Sequence, residues 1–302
     1  MKQTRRAFLQ SAALAAAGIP LLKNNAFGME TLAKSPFKIS LAEWSLHKAL
    51  WAKEMTHLDF PVKAAKDFGI FGVEYVSTFF KDTSAEYLNE LLKITKDNKV
   101  TNVLIMVDGQ GNMGDKDEAI RNKAVDNHHR WVEAAKTLGC HSIRVNAAGK
   151  GTEAEVADAM VDSLTKLSTF AAGLDINVVV ENHGGFSSNG KWLSGVMKRV
   201  NLKNCGTLPD FGNFRVSATE EYDRYLGIEE LMPYAKGASA KSYDFDADGN
   251  EVKIDFYRII KIIKDSGYKG WIDVEYEGSK LSEPEGIMAT KRLLEKAFAS
   301  VA

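Results

Sequence analysis

The run Ile176-Asn177-Val178-Val179-Val180-Glu181 passes through three consecutive valines, stops on a carboxylate, and gives way to the turn-forming Asn182-His183-Gly184-Gly185. A short unbroken β-branched run bounded by turn residues reads as a strand buried on both faces, as in a parallel sheet covered by helices. Three later stretches end on polar residues in the same way. They are Cys205-Gly206-Thr207-Leu208-Pro209-Asp210 before Phe211-Gly212-Asn213, Gly237-Ala238-Ser239-Ala240-Lys241 before Ser242-Tyr243, and Trp271-Ile272-Asp273-Val274-Glu275 before Tyr276-Glu277-Gly278. Toward the N-terminus, candidate strands end near Trp44, Val76, Val107 and Asn146, so eight ends recur at intervals of 29 to 39 residues. Helical spacing fills the gaps, for example Val156, Met160, Leu164, Leu167 and Ala171, or Phe256, Ile259, Ile260 and Ile263. Capping boxes are expected at Thr83/Glu86, Thr152/Glu155, Ser217/Glu220 and Ser282/Glu285. No consensus recurs from unit to unit, which argues against a solenoid. The pattern predicts one α/β domain, a (β/α)8 TIM barrel over residues 36–300, in preference to an open doubly wound sheet. The active site is then expected at the C-terminal strand ends.

The first 28 residues belong to another class. Lys2, Arg5 and Arg6 precede the small, apolar run Ala13-Leu14-Ala15-Ala16-Ala17-Gly18-Ile19-Pro20-Leu21-Leu22, and Ala26-Phe27-Gly28 has the small-x-small form of a cleavage site. Thr4-Arg5-Arg6-Ala7-Phe8-Leu9-Gln10 resembles a twin-arginine export signal, and the apolar run is too short to span a bilayer. A periplasmic protein without a stable membrane anchor is expected after cleavage of residues 1–28, and export in the folded state suits an enzyme that loads its cofactor first. Losing Lys2, Arg5, Arg6 and Lys23 reduces 39 basic residues by four, leaving 35 against 40 acidic, a net charge of −5. That balance opposes a nucleic-acid partner, whose affinity rests on neutralising phosphates. The two cysteines, Cys140 and Cys205, read as small buried apolar residues. No feature sets the oligomeric state.

Side chains alternate along a strand, so one parity faces the barrel mouth: Glu181 with His183, and Asp273 with Glu275 and Glu277. Acids gathered there from strands five, six and eight, with Lys241 on strand seven, would repel and raise one another's pKa values unless a cation is present. An oxygen-rich set suits Mn²⁺, Mg²⁺ or Co²⁺, or Zn²⁺ if a nitrogen joins.

Glu181-Asn182-His183-Gly184-Gly185, Leu208-Pro209-Asp210-Phe211-Gly212-Asn213, Ser239-Ala240-Lys241 and Val274-Glu275-Tyr276-Glu277-Gly278 together resemble the sugar phosphate isomerase/epimerase family, the xylose isomerase-like TIM barrels. The resemblance spans about residues 36–300 and is strongest from Val178 onward. It implies a divalent metal held by Glu181, Asp210 and Glu275. The family's His-x-Lys on strand seven is Ser239-Ala240-Lys241 here, so its histidine ligand is missing; His183 could supply a nitrogen instead, or contact a substrate hydroxyl. Asn213 stands where relatives place a substrate-contacting histidine.

The implied chemistry is proton abstraction next to a carbonyl, with the enediolate charge offset by the metal and with Glu181 and Glu275 as base and acid. Epimerisation, isomerisation and β-elimination from a 3-keto-glycoside would all use these residues. Export and the absence of an evident basic cluster at the late strand ends favour a non-phosphorylated sugar or keto-sugar as the small-molecule partner. A non-catalytic sugar-binding barrel is the alternative. Lys241 is expected either near the enolate oxygen or in an ion pair with Asp210 or Glu275. Trp44 is expected against a sugar face or in the core. Glu43, Glu74 and Asn146 read as solvated rim residues, with pocket lining as the alternative, His128 and His129 as structural, and residues 246–250 as a turn. A metal-cluster endonuclease on this barrel needs many histidines, and His47, His57, His128, His129, His141 and His183 are few and mostly remote from strand ends. Neither a phosphate-binding glycine loop nor a nucleophile elbow is present.

Overall fold

The computed structural model describes residues 35–302; the expected export signal lies outside them. Eight parallel strands are β1 (Lys38–Ala42), β2 (Gly72–Val76), β3 (Thr101–Met106), β4 (Ser142–Val145), β5 (Asn177–Glu181), β6 (Cys205–Leu208), β7 (Ala238–Ser242) and β8 (Trp271–Tyr276). They are followed in turn by helices α1 (Phe60–Phe68), α2 (Ala85–Asp97), α3 (Glu118–Leu138), α4 (Glu153–Ala172), α5 (Gly190–Val200), α6 (Arg224–Leu231), α7 (Phe256–Asp265) and α8 (Glu283–Val301).

The ladder runs β6-β5-β4-β3-β2-β1-β8-β7, and single parallel bridges Thr207–Ala235 and Asp210–Ser239 bring its two ends together into the TIM barrel. β6 stops at Leu208 because Pro209 has no N–H to give. Pro209 O and Phe211 N instead pair with the two sides of Ser239, each at 2.9 Å.

Strand parity divides the core as a barrel requires. Leu41, Tyr75, Ile105, Ile143, Val178, Val180, Ala240 and Val274 pack outward in the large cluster under the helices, whereas Ala42, Val76, Leu104, Met106, Val179 and Leu208 form a separate interior cluster. Where apolar side chains do not fill the interior, buried polar ones do: Ser40, Glu74, Arg144, Glu181, Ser239, Lys241, Asp273 and Glu275. A polar half-interior beneath the C-terminal rim is expensive to build without a task for it.

Local details differ from the sequence reading. Thr152 and Ser282 form the expected capping boxes. Ser84, not Thr83, caps α2, because its hydroxyl reaches Tyr87 N. Ser217 starts no helix: residues 215–221 fold back on themselves, and Asp223 caps α6. Trp44 lies beyond β1 in a 3-10 turn (Glu43–Leu46). Both cysteines are free and buried, and Asp246 closes the expected turn with Asp248 N and Asn250 N. None of the described helices is long and apolar enough to cross a membrane.

Candidate active site

Glu181, Asp210 and Glu275, from three different strand ends, bring one carboxylate oxygen each to within 4.8 Å of one another, all buried. Oxygens on opposite sides of a divalent ion at 2.0–2.5 Å each would be about 4–5 Å apart, so the span fits one cation. Asp210 supplies a second sign. Its Oδ1 accepts the N–H groups of Gly212 (2.8 Å) and Asn213 (2.7 Å), while its fully buried Oδ2 has no hydrogen-bond partner. Burial pushes the Asp210 carboxyl well above the usual range despite Lys241 nearby, with Glu181 and Glu275 adding to the rise. A buried, unpartnered carboxylate oxygen on a residue grouped with two other carboxylates is a fitting metal ligand.

Each acid is held by its own set of neighbours. Glu181 accepts the Asn213 amide at Oε1 (3.0 Å), and its Oε2 lies 2.9 Å from Arg144 Nε, off the hydrogen-bonding axis but close enough for an ion pair. Arg144 also donates to Asp108 (2.7 Å), which Asn146 bonds as well (2.6 Å). Glu275 accepts Ser239 Oγ at Oε2 (3.0 Å) and Lys241 Nζ at Oε1 (2.9 Å). Burial works to raise the Glu275 carboxyl, but Lys241, Ser239 and Arg144 outweigh it and hold it below its ordinary value. Lys241 further contacts Glu277 at 2.7 Å and lies 3.9 Å from Asp210 Oδ2. The ion-pair reading of Lys241 therefore describes it, and the ammonium balances much of the acid cluster.

His183 does not join the three acids. It is exposed just past the strand, with Ser187 Oγ accepting its backbone N–H. The inward position at this level belongs to Asn182, whose side chain accepts from Asp210 N (2.7 Å) and donates to Asp210 O (3.0 Å) and Asn213 O (3.1 Å). Asn182 thus ties β5 to the β6 end where Pro209 breaks the ladder. Trp44 is half-buried over the interior cluster, stacked on His47 (4.9 Å between ring centres), with Trp51 edge-on at 5.2 Å and Phe79 at 6.2 Å. This aromatic wall stands on the β1–β2 side of the mouth.

Glu43 and Glu74 are not rim residues. Glu43 is wholly buried and joins His57 Nδ1 (2.7 Å) to Val76 N (2.9 Å), stapling β1 to β2. Glu74 takes a hydrogen bond from Ser40 (2.7 Å) deep in the barrel, where burial pushes its carboxyl up to about 7. His128 is structural, as expected, bonded to Ala124 O at 2.7 Å. The expectation of no basic cluster at the late strand ends is overturned: Arg215, Arg224 and Lys253, far apart in sequence, line one cavity of about 450 Å³. Sequence reading also missed Arg144. Its signal was a charged residue at the inward parity of β4, between the outward Ile143 and Val145.

Residues 62–297 match the family described as xylose isomerase-like TIM barrel. The chain belongs to that family. Among solved structures, this xylose isomerase-like barrel is similar to a D-tagatose 3-epimerase-like protein (18% identity, TM-score 0.69, covering 88% of this chain and 100% of that one). It is likewise similar to the IOLI protein with a bound zinc atom (18%, TM-score 0.67, 87% and 98%) and to 3-keto-D-glucoside 4-epimerase from E. coli (16%, TM-score 0.62, 86% and 99%). At such identities these likenesses establish the fold. A shorter stretch, 35% identical over 54 residues, matches the C-glycoside deglycosidase alpha subunit of Arthrobacter globiformis, covering 18% of this chain and 15% of that protein's length.

Proposed function

We propose that this chain is a metal-dependent enzyme that abstracts a proton next to the carbonyl of a sugar or keto-sugar, with epimerisation or isomerisation as the outcome. The observation that carries the reading is the convergence of Glu181, Asp210 and Glu275 at the C-terminal rim, with one oxygen of Asp210 buried and unpartnered. These three carboxylates would hold a divalent cation, which when bound supplies Lewis-acid polarisation of a carbonyl. Mn²⁺, Mg²⁺, Co²⁺ and Zn²⁺ are the candidates, and the lack of a nitrogen in the cluster favours the first three.

Glu181 and Glu275 come from β5 and β8, three strands apart around the closed barrel, so a sugar held between them meets one carboxylate on each face. Asn213 and Arg144 fix the direction of Glu181, and Ser239 and Lys241 that of Glu275. A proton taken by one and returned by the other to the opposite face inverts the carbon; returned to the neighbouring carbon, it moves the carbonyl. Trp44 offers an apolar face for the sugar ring, and His183 and Asn213 offer polar contacts at the rim.

A second reading is elimination of an aglycone from a 3-keto-glycoside at the same residues. It draws support from the similarity to a keto-glucoside epimerase and from the stretch shared with a C-glycoside deglycosidase subunit. Incubation with candidate ketoses and 3-keto-glycosides in D₂O separates the two. Deuterium at the carbon beside the carbonyl with inversion or carbonyl migration supports the first, and aglycone release supports the second. No exchange and no release with any of them, in metal-supplemented protein, leaves only a sugar-binding barrel. Periplasmic localisation is part of the proposal and rests on residues 1–28; cell fractionation of the full chain and of an Arg5→Lys/Arg6→Lys variant tests it.

A further inference from the structure

The cavity lined by Arg215, Arg224 and Lys253 opens between the loops after β5, β6 and β7, and among the described residues the only acid that lines it is Glu221. It adjoins the acid cluster: Asn213 lines the cavity and donates to Glu181, while Gly212 lines it and donates its N–H to Asp210. Arg224 is held through its side chain, whereas Arg215 and Lys253 are exposed and are positioned through their backbone. Arg224 donates to Phe211 O (3.0 Å) and to Glu221 (2.9 Å). Arg215 sits on an antiparallel bridge to Glu221, closed by Tyr222 N on Phe214 O at 2.8 Å. The loop carrying Lys253 is pinned by buried Glu251, which accepts the N–H groups of Lys253 (2.6 Å) and Ile254 (2.5 Å). Neither Arg215 nor Lys253 has a side-chain ion-pair partner among the described residues. With Arg224 paired to Glu221, Arg215 and Lys253 remain as two cations without an acid partner beside the catalytic mouth, in a chain with more acids than bases. A neutral sugar has no use for them, whereas guanidinium forks and an ammonium match the oxygens of a carboxylate or phosphate.

We propose that the sugar handled by this site carries an anionic oxygen group, a carboxylate or a phosphate, that is seated in this cavity by Arg215 and Lys253 with Arg224 behind them. The inference rests on the sugar-enolising reading above and narrows its substrate class. It is tested by calorimetric titration of the Mn²⁺-supplemented full chain with D-fructose, D-fructuronate and D-fructose 6-phosphate, using the wild type and an Arg215→Gln/Lys253→Gln variant. At least one anion is expected to bind about tenfold or more tighter than D-fructose at low salt, the worth of one good charge-assisted pair. That ratio should fall about tenfold in the variant and shrink as ionic strength rises. Whichever anion is preferred identifies the group. Equal affinities for all three ligands, or a ratio unchanged in the variant, would overturn the proposal. D-fructose binding lost in Asp210→Asn alongside a flat ratio sinks only the anion pocket, whereas no binding of any of the three sinks the sugar site with it.

Discussion

Replacing Lys241 with methionine probes how the acid cluster is held together. The ammonium is almost fully buried and touches Glu275 at 2.9 Å and Glu277 at 2.7 Å, with Asp210 at 3.9 Å. Removing one partner of a buried pair leaves uncompensated charge and costs about 3–5 kcal/mol. For a domain of this size that lowers Tm by roughly 10 °C. The loss should be measured in EDTA by urea and thermal unfolding. It should shrink on acidification, because the deserted carboxyls then take up protons. A divalent ion present at about a hundred times its Kd returns about 2.7 kcal/mol, and K241M should gain more from it than the wild type does, since no ammonium repels the cation. In the wild type the Lys241 pKa is raised: burial opposes the charge, but Glu275, Asp210 and Glu277 outweigh it. As far as the ammonium's own titration goes, its contribution is complete below the ordinary lysine value and is lost only as pH climbs through the elevated one, so the decline at acid pH comes from the carboxyls taking up protons. A K241M protein within about 1 kcal/mol of wild type in EDTA at pH 8 would refute this account, since a buried acid cluster cannot lose its counter-charge so cheaply.

Three further outcomes are expected. Burial pushes the Glu74 carboxyl up to about 7 from an ordinary 4.5, so in the metal-free protein its own contribution to stability should fall by about 3 kcal/mol as pH rises between those values, with buried Asp210 and Asp273 acting in the same direction; Glu74→Gln should lessen that slope and raise stability at pH 8, as read by urea midpoints across pH. Asn213→Ala removes the 3.0 Å hydrogen bond to Glu181 and should lower kcat/KM by about 10- to 100-fold, the worth of a hydrogen bond to a charged group, with the fold intact by circular dichroism. Gly184 holds φ +87° and ψ 161°, a region nearly closed to other residues, so Gly184→Ala should cost about 1–3 kcal/mol in urea although open space surrounds the added methyl.

How much of this was legible in the sequence follows from the range of the forces involved. The barrel was readable because strand burial and helix periodicity are local: Val178 and Val180 face the helices and Val179 the interior, as a run of β-formers buried on both sides must. Glu181, Asp210 and Glu275 were readable because each lies at or close to the C-terminal end of its own strand, and closure of the barrel brings them together. His183 misled because parity holds only while the strand lasts; β5 stops at Glu181, and Asn182 turns inward to bond the backbone freed by Pro209. Glu74 and Glu43 looked like rim acids because nothing local marks a partner such as Ser40 or His57, which lie 34 and 14 positions away. The cationic cavity was invisible for the same reason: Arg215, Arg224 and Lys253 meet only through loop folding.

The central claim, three carboxylates chelating one cation at the barrel mouth, is tested most directly by metal stoichiometry. Equilibrium dialysis against Mn²⁺ followed by elemental analysis should give one ion per wild-type chain, with affinity at least a hundredfold weaker in Asp210→Asn, whose buried oxygen is replaced by an amide. Equal binding by the two proteins, or no bound ion in the wild type, would contradict it.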